Sequence, residues 1–198
     1  MNTGTSISAR AQNENWLPIL ELALQEVFEI MLGCRLEPAA GSEQRTGGEI
    51  TAMVGLAGSA CGVLTVCCSA RAAAAVATHM LGTEPVRTED HVWDALGELC
   101  NMIAGNFKSK LSGVDGTCML SVPTVITGGE YSFHALADGG SLETTMLFEG
   151  MPSSFASTSI ADRRPGDKLC RVSAHTRQSF PRARNLRLLP SSLVVPTS

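Results

Sequence analysis

Asp94, Glu98, Asn101 and Gly105 follow one another at intervals of four, three and four residues, the spacing that stacks positions along one strip of a helix. With Val92 set to zero on a helical wheel, Val92, Leu96, Leu99, Ile103 and Phe107 fall within about 80° of one another, and the four polar or small positions lie between about 180° and 240°. Two carboxylates, a carboxamide and a glycine therefore share a narrow strip facing away from an apolar stripe. A carboxamide both donates and accepts hydrogen bonds, and a glycine removes a side chain where a second surface can come close. One reading of the strip is a solvated helix face, and the other is a face on which a partner docks. Asn and Gly are poor helix formers, which favours the second without deciding it.

Other reactive chemistry is thin. The chain has no G-x-x-x-x-G-K-[ST], H-E-x-x-H, G-x-S-x-G or dinucleotide-binding glycine pattern. His79, His91, His134 and His175 have no carboxylate or cysteine at metal-ligand spacing, so no metal is expected on this chain. The seven cysteines include no C-x-x-C pair and sit mostly in apolar runs, as buried reduced thiols of a cytoplasmic protein do.

The elements that must position the strip are legible from periodicity. Trp16 to Leu32 reads as an amphipathic helix with Trp16, Ile19, Leu20, Ala23, Val27, Ile30 and Met31 inward, stopped by Gly33. Glu49–Leu56 and Cys61–Cys68 read as a hairpin around Gly58-Ser59, and Arg71–Leu81 as an alanine-rich helix ended by Gly82. The long helix, Glu89 to Leu111, enters through Thr88 as N-cap. Cys118–Thr127 is a strand bent or edged by Pro123, and Tyr131–Leu136 with Leu142–Phe148 reads as a second hairpin around Asp138-Gly139-Gly140.

The halves also look like copies. Gly47-Gly48-Glu49 matches Gly128-Gly129-Glu130, and Glu26-x-x-Glu29-x-x-x-Gly33 matches Glu98-x-x-Asn101-x-x-x-Gly105. The expected fold is α+β, a pseudo-symmetric antiparallel sheet with long helices packed on it.

Charge divides the chain. Residues 1–150 carry 7 basic and 17 acidic side chains, whereas residues 151–198 carry 8 and 2. The expected organisation is a flexible N-terminus over 1–11, a folded domain over 12–150, and a basic tail over 151–198, disordered or not the native reading of the gene. Nucleic-acid binding by the tail arginines is the lesser reading, since no aromatic interleaving accompanies them. The uncharged stretch Ile50–Ala70 is long enough for a membrane span, but its central glycines and β-branched residues suit two strands, and no membrane association is expected.

The run Asp94-Ala-Leu-Gly-Glu98-Leu-Cys-Asn101-Met-Ile-Ala-Gly105-Asn106, followed by Pro123, resembles the signature of the CheC/CheX/FliY phosphatases of bacterial chemotaxis, D/S-x-x-x-E-x-x-N with a later proline. Its single intact copy is most similar to the CheX branch. The resemblance implies an enzyme that docks this helix on a phosphorylated CheY-like receiver domain and hydrolyses its aspartyl phosphate with the receiver's own Mg²⁺, binding no cofactor itself. Asn101 then orients the water, Glu98 pairs with the receiver's lysine, and Asp94 and Gly105 serve docking. The first copy, with Leu22 and Glu29 at the positions of Asp94 and Asn101, is expected to be inactive. Homodimers through strand edges are a family property. Where the family continues with a further β-type segment, this chain has Pro152-Ser153-Ser154, and a missing strand is expected. The alternative function is a non-catalytic receiver-binding or flagellar-switch-like adaptor.

Overall fold

The computed structural model describes residues 5–39, 49–82, 89–111, 118–128, 133–135, 141–162 and 174–176. Helix α1, Thr5–Val27, runs into a π-helical turn, Phe28–Leu32, closed by Gly33 at φ 66°. Residues 5–11, expected as part of a flexible lead, are thus helical. The apolar pattern continues through the turn with one correction. Phe28, four residues after Leu24, stays on the buried face, but a π turn inserts an extra residue and rotates the positions beyond it by about 100°, so Leu32 enters the core while Ile30 and Met31, expected inside, are exposed at 76% and 44%.

Strands β2, Ile50–Ala57, and β3, Ala60–Cys68, form the expected hairpin, in register from Ile50↔Cys68 to Leu56↔Gly62. The uncharged stretch is therefore sheet, and among the described residues no helix is long and apolar enough to cross a membrane. Ser69 caps α2, Ala70–Leu81, by accepting from the Ala72 N–H at 3.2 Å, and Gly82 ends it at φ 65°. Helix α3 spans Glu89–Lys110, and Thr88 lies outside the described residues. After it come the short strands β4, Met119–Leu120, and β5, Thr124–Thr127, which both pair with β2 and are separated at Pro123.

The second hairpin is not the expected one. Strand β6, Phe133–Ala135, pairs with β9, Ala174–Thr176, in a separate two-stranded sheet, while β7, Ser141–Phe148, pairs with β8, Met151–Asp162. The β7–β8 turn is Glu149-Gly150, with φ of 50° and 72°, the two positive angles that a tight type I′ hairpin needs. The asparagine-glycine-like signal of Asp138-Gly139-Gly140 falls outside the described residues.

Strand β8 also corrects the domain boundary. The main sheet runs β1-β7-β8-β3-β2-β4, with β1 being Glu37–Pro38 and β5 beside β4 on β2. Residues 151–162 are therefore central sheet, not tail, and the family's further strand is present. The β2–β3 hairpin leaves one side of β3 with unpaired backbone groups, and β8 satisfies them from Cys67↔Ser154 to Ala60↔Asp162. Four serines in this strand disguised it as linker. The pseudo-symmetry holds in a shifted frame: β2 and β7 start 91 residues apart, at Ile50 and Ser141, as do β3 and β8, at Ala60 and Met151.

Alternate residues of the hairpin, Ala52, Val54 and Leu56 with Leu64 and Val66, bury against the helices. Opposite them α3 contributes Leu96, Leu99, Ile103 and Phe107, each 0% exposed, the stripe that the wheel placed inward. Val92 is half-buried at its end. From α1 and its π turn, Leu20, Leu24 and Phe28 complete the core, and the Phe28 ring meets Phe148 edge-on at 5.4 Å.

Candidate functional site

Burying one stripe of α3 fixes where its opposite strip points. Asp94 and Glu98 are exposed, and Asn101 and Gly105 are half-buried. The four residues expected together on sequence spacing are together, on the open side of the helix. Among the described residues, neither Asp94, Glu98 nor Asn101 has an ion-pair or side-chain hydrogen-bond partner.

The strip borders a groove of about 550 Å³ lined by Trp93, Asp94, Gly97 and Glu98 from α3 and by Pro123 and Val125 from the sheet edge. Its far wall exists because the edge is broken. Between the Leu56↔Leu120 and Met53↔Thr124 pairs, three residues, Ser121 to Pro123, stand opposite two on β2, and the extra residue bends the strand. Ser121 fixes the bend: its N–H donates to the Gly55 carbonyl and its Oγ accepts from the Gly55 N–H, both at 2.9 Å.

The two glycines of α3 differ in what they are for. A Cβ at Gly97 would lie 3.3 Å from Pro123 Cβ and 3.5 Å from Val125 Cγ2, so this glycine lets the helix seat against the bent edge. At Gly105 the nearest atom to such a Cβ is Leu120 Cδ1 at 4.0 Å, and the packing of the described residues does not require a glycine there. Sequence reasoning singled out Gly105 and missed Gly97, Trp93 and Val125. The signal available for Gly97 was a helix-breaking residue in the middle of the most periodic helix of the chain.

In the first copy two of the corresponding positions are engaged internally. Glu26, the counterpart of Glu98, accepts from the Lys110 ammonium at 2.7 Å and the Asn106 amide at 3.0 Å, and these contacts hold its carboxyl below the usual carboxylate range. Glu29, the counterpart of Asn101, faces Arg35 at 3.3 Å, and Leu22 stands exposed where the second copy has Asp94. The carboxylate kept in this copy ties α1 to the end of α3.

Of the six described cysteines, Cys67, Cys68, Cys100 and Cys118 are buried. Burial pushes the Cys68 and Cys100 thiols up to about 12, far from the thiolate that a nucleophile needs. His79, which has no ligand partner at sequence spacing, lies beside both Cys34 and Glu149 once the chain is folded.

Comparison with known proteins gives a family and a fold. Residues 50–146, which contain all of α3 and Pro123, match the family described as chemotaxis phosphatase CheX. No curated protein matches the chain in sequence. Among solved structures, the chain is similar to the chemotaxis protein CheX from Desulfovibrio desulfuricans (TM-score 0.62, 22% identity, 74% of this chain and 99% of that one). It is similar also to CheX from Vibrio vulnificus (0.61, 19%, 72% and 94%). A third similar fold is the CheX of a CheX–CheY–BeF3–Mg²⁺ complex from Borrelia burgdorferi (0.58, 22%, 73% and 97%).

Proposed function

We propose that this chain, a CheX-like member of the CheC/CheX/FliY chemotaxis phosphatases, removes the phosphoryl group from the aspartate of a CheY-type receiver domain. The observation that carries this reading is the pair Glu98 and Asn101, one turn apart on the open strip of α3 and unengaged among the described residues. The family match over residues 50–146 supports the reaction class, and the complex of the similar Borrelia protein with CheY supports a receiver as partner.

The reaction is a hydrolysis. Water attacks phosphorus, the bond to the aspartyl oxygen breaks, and aspartate and inorganic phosphate leave. Positioning and charge stabilisation do most of the work in such transfers. The Asn101 carboxamide suits the positioning role: it is neutral, so it approaches phosphoryl oxygens without repulsion, and it can hold a water by accepting one of its hydrogens. Glu98 supplies a carboxylate for the receiver's lysine, Asp94 adds a polar contact, and Gly105 leaves room for the partner backbone. Mg²⁺ belongs to the receiver in this scheme and offsets the phosphoryl charge. A CheY-type partner is cytoplasmic, and the reading assigns this chain to the same compartment.

The test is phosphate loss from a panel of phosphorylated receiver domains with Mg²⁺, with and without the chain. Faster loss from at least one receiver, abolished in Asn101→Ala, is the expected result. Binding to a receiver with no acceleration would replace the phosphatase with an adaptor.

A further inference from the structure

Away from the groove, three side chains of metal-ligating type converge from distant parts of the sequence. Cys34 Sγ lies 3.7 Å from His79 Nδ1 and 3.8 Å from Nε2, and His79 Nε2 lies 2.8 Å from Glu149 Oε1. One ligand atom from each residue falls within 4.8 Å of the others, and among the described residues no other group of three does so.

Each side chain is held by its own element. Cys34 follows the Gly33 stop, and its N–H donates to the Phe28 carbonyl at 3.3 Å across the end of the π turn. His79 is in the last turn of α2, its ring edge-on to Phe148 with centroids 5.8 Å apart. Glu149 occupies the first turn position after β7 at φ 50°, where asparagine or glycine is the usual residue. A surface His–Glu pair needs no thiol beside it.

We propose that Cys34, His79 and Glu149 bind a divalent cation of the zinc type. Thiolate, imidazole and carboxylate together are a zinc or cobalt donor set, unlike the all-oxygen sets of magnesium and calcium. Tetrahedral zinc with bonds of about 2.0–2.3 Å separates its donor atoms by roughly 3.3–3.6 Å. The Sγ to Nε2 distance is near this range, but Sγ stands almost equally far from Nδ1, off the in-plane lone pair of either nitrogen, so the His79 ring has to rotate to share a metal with it. The His79–Glu149 contact has to open by about half an ångström, which the exposed Glu149 side chain can supply. Three protein donors leave the fourth position to water.

Bound metal joins the end of the first helix, the end of α2 and the β7–β8 turn, three segments that otherwise meet through the core. Sulfur binds the cation as thiolate, so binding displaces the Cys34 thiol proton.

The experiment uses the full chain stripped with a chelator, then titrated with Zn²⁺ against a chromophoric competitor and separately with Co²⁺. Expected are one equivalent of Zn²⁺, a rise in melting temperature, and a Co²⁺ spectrum with a sulfur-to-metal charge-transfer band and strong tetrahedral d–d bands. Loss of an outer-shell partner weakens metal sites 10–100-fold, so removing a ligand in Cys34→Ser or His79→Ala should weaken Zn²⁺ by more than roughly 100-fold and, for Cys34→Ser, abolish the charge-transfer band. Glu149→Gln, which keeps the turn and the side-chain length, should weaken binding while leaving the metal-free melting temperature nearly unchanged. No stoichiometric uptake by the wild type, or a cobalt–thiolate band that survives Cys34→Ser, would overturn the site. No receiver enters the experiment, so its failure leaves the phosphatase reading standing.

Discussion

A single methyl group added at Gly105 and at Gly97 is expected to move stability in opposite directions. Both glycines lie inside α3, where glycine costs about 0.8–1 kcal/mol relative to alanine. At position 105 the new Cβ finds only Leu120 Cδ1, at 4.0 Å, an ordinary contact. Gly105→Ala therefore keeps the full gain of about 1 kcal/mol, or roughly 2–4 °C in the midpoint for a protein of this size. At position 97 the Cβ lands 3.3 Å from Pro123 Cβ, and Pro123 is anchored through the paired Ser121–Gly55 hydrogen bonds. Overpacking of that kind costs about 1–3 kcal/mol, so the net result for Gly97→Ala is a loss of about 0–2 kcal/mol. Denaturant titration followed by the fluorescence of the half-buried Trp16 and Trp93 reads both variants. The proposed docking role adds a second readout: the more stable Gly105→Ala protein should accelerate receiver dephosphorylation less than the wild type. A destabilised Gly105→Ala, or a Gly97→Ala as stable as Gly105→Ala, would refute this account of the helix.

Phe107→Ala removes a ring that is 0% exposed between α3 and the sheet and should cost about 3–5 kcal/mol in the same titration. Ending the chain after Gly150 deletes β8 from between β3 and β7; the truncated protein should lose cooperative unfolding, and a sharp wild-type-like transition would contradict the strand's central place. Glu26 is held below its usual range chiefly by Lys110, so the stability it contributes is complete above the unfolded carboxylate pKa and is lost as the pH falls through the folded one. Melting temperatures across that acid range should therefore fall less steeply for Glu26→Gln than for wild type, and parallel curves would show that the contact does not contribute.

The legible parts of the fold were those where local pattern and burial coincide. In α3 one stripe is core and nothing interrupts the helix, so periodicity located both the buried side and the strip with Glu98 and Asn101. The β2–β3 hairpin announced itself through alternation around Gly58-Ser59. Strand β8 was hidden because pairing on both sides is what makes it a strand, and Ser153, Ser154, Ser157 and Ser159 dilute the apolar signal that marks a central strand. The π turn at Phe28–Leu32 has no sequence mark, and it turns Ile30 and Met31 outward while bringing Leu32 in. Gly97 and Pro123 were both visible as residues, but their contact spans the helix and the sheet edge and depends on the bulge at Ser121. Cys34, His79 and Glu149 meet only through the tertiary fold, at separations no spacing rule covers.

The most direct measurement of the central claim is single-turnover phosphate loss from a phosphorylated receiver at saturating concentrations of this chain, comparing wild type with Asn101→Ala. Saturation removes docking from the comparison and leaves the hydrolytic step. If Asn101 orients the attacking water, the variant should bind the receiver yet lose acceleration by roughly 10²–10³-fold, the cost of removing one fixed polar group from a transition state. Equal single-turnover rates in the two proteins would contradict the account.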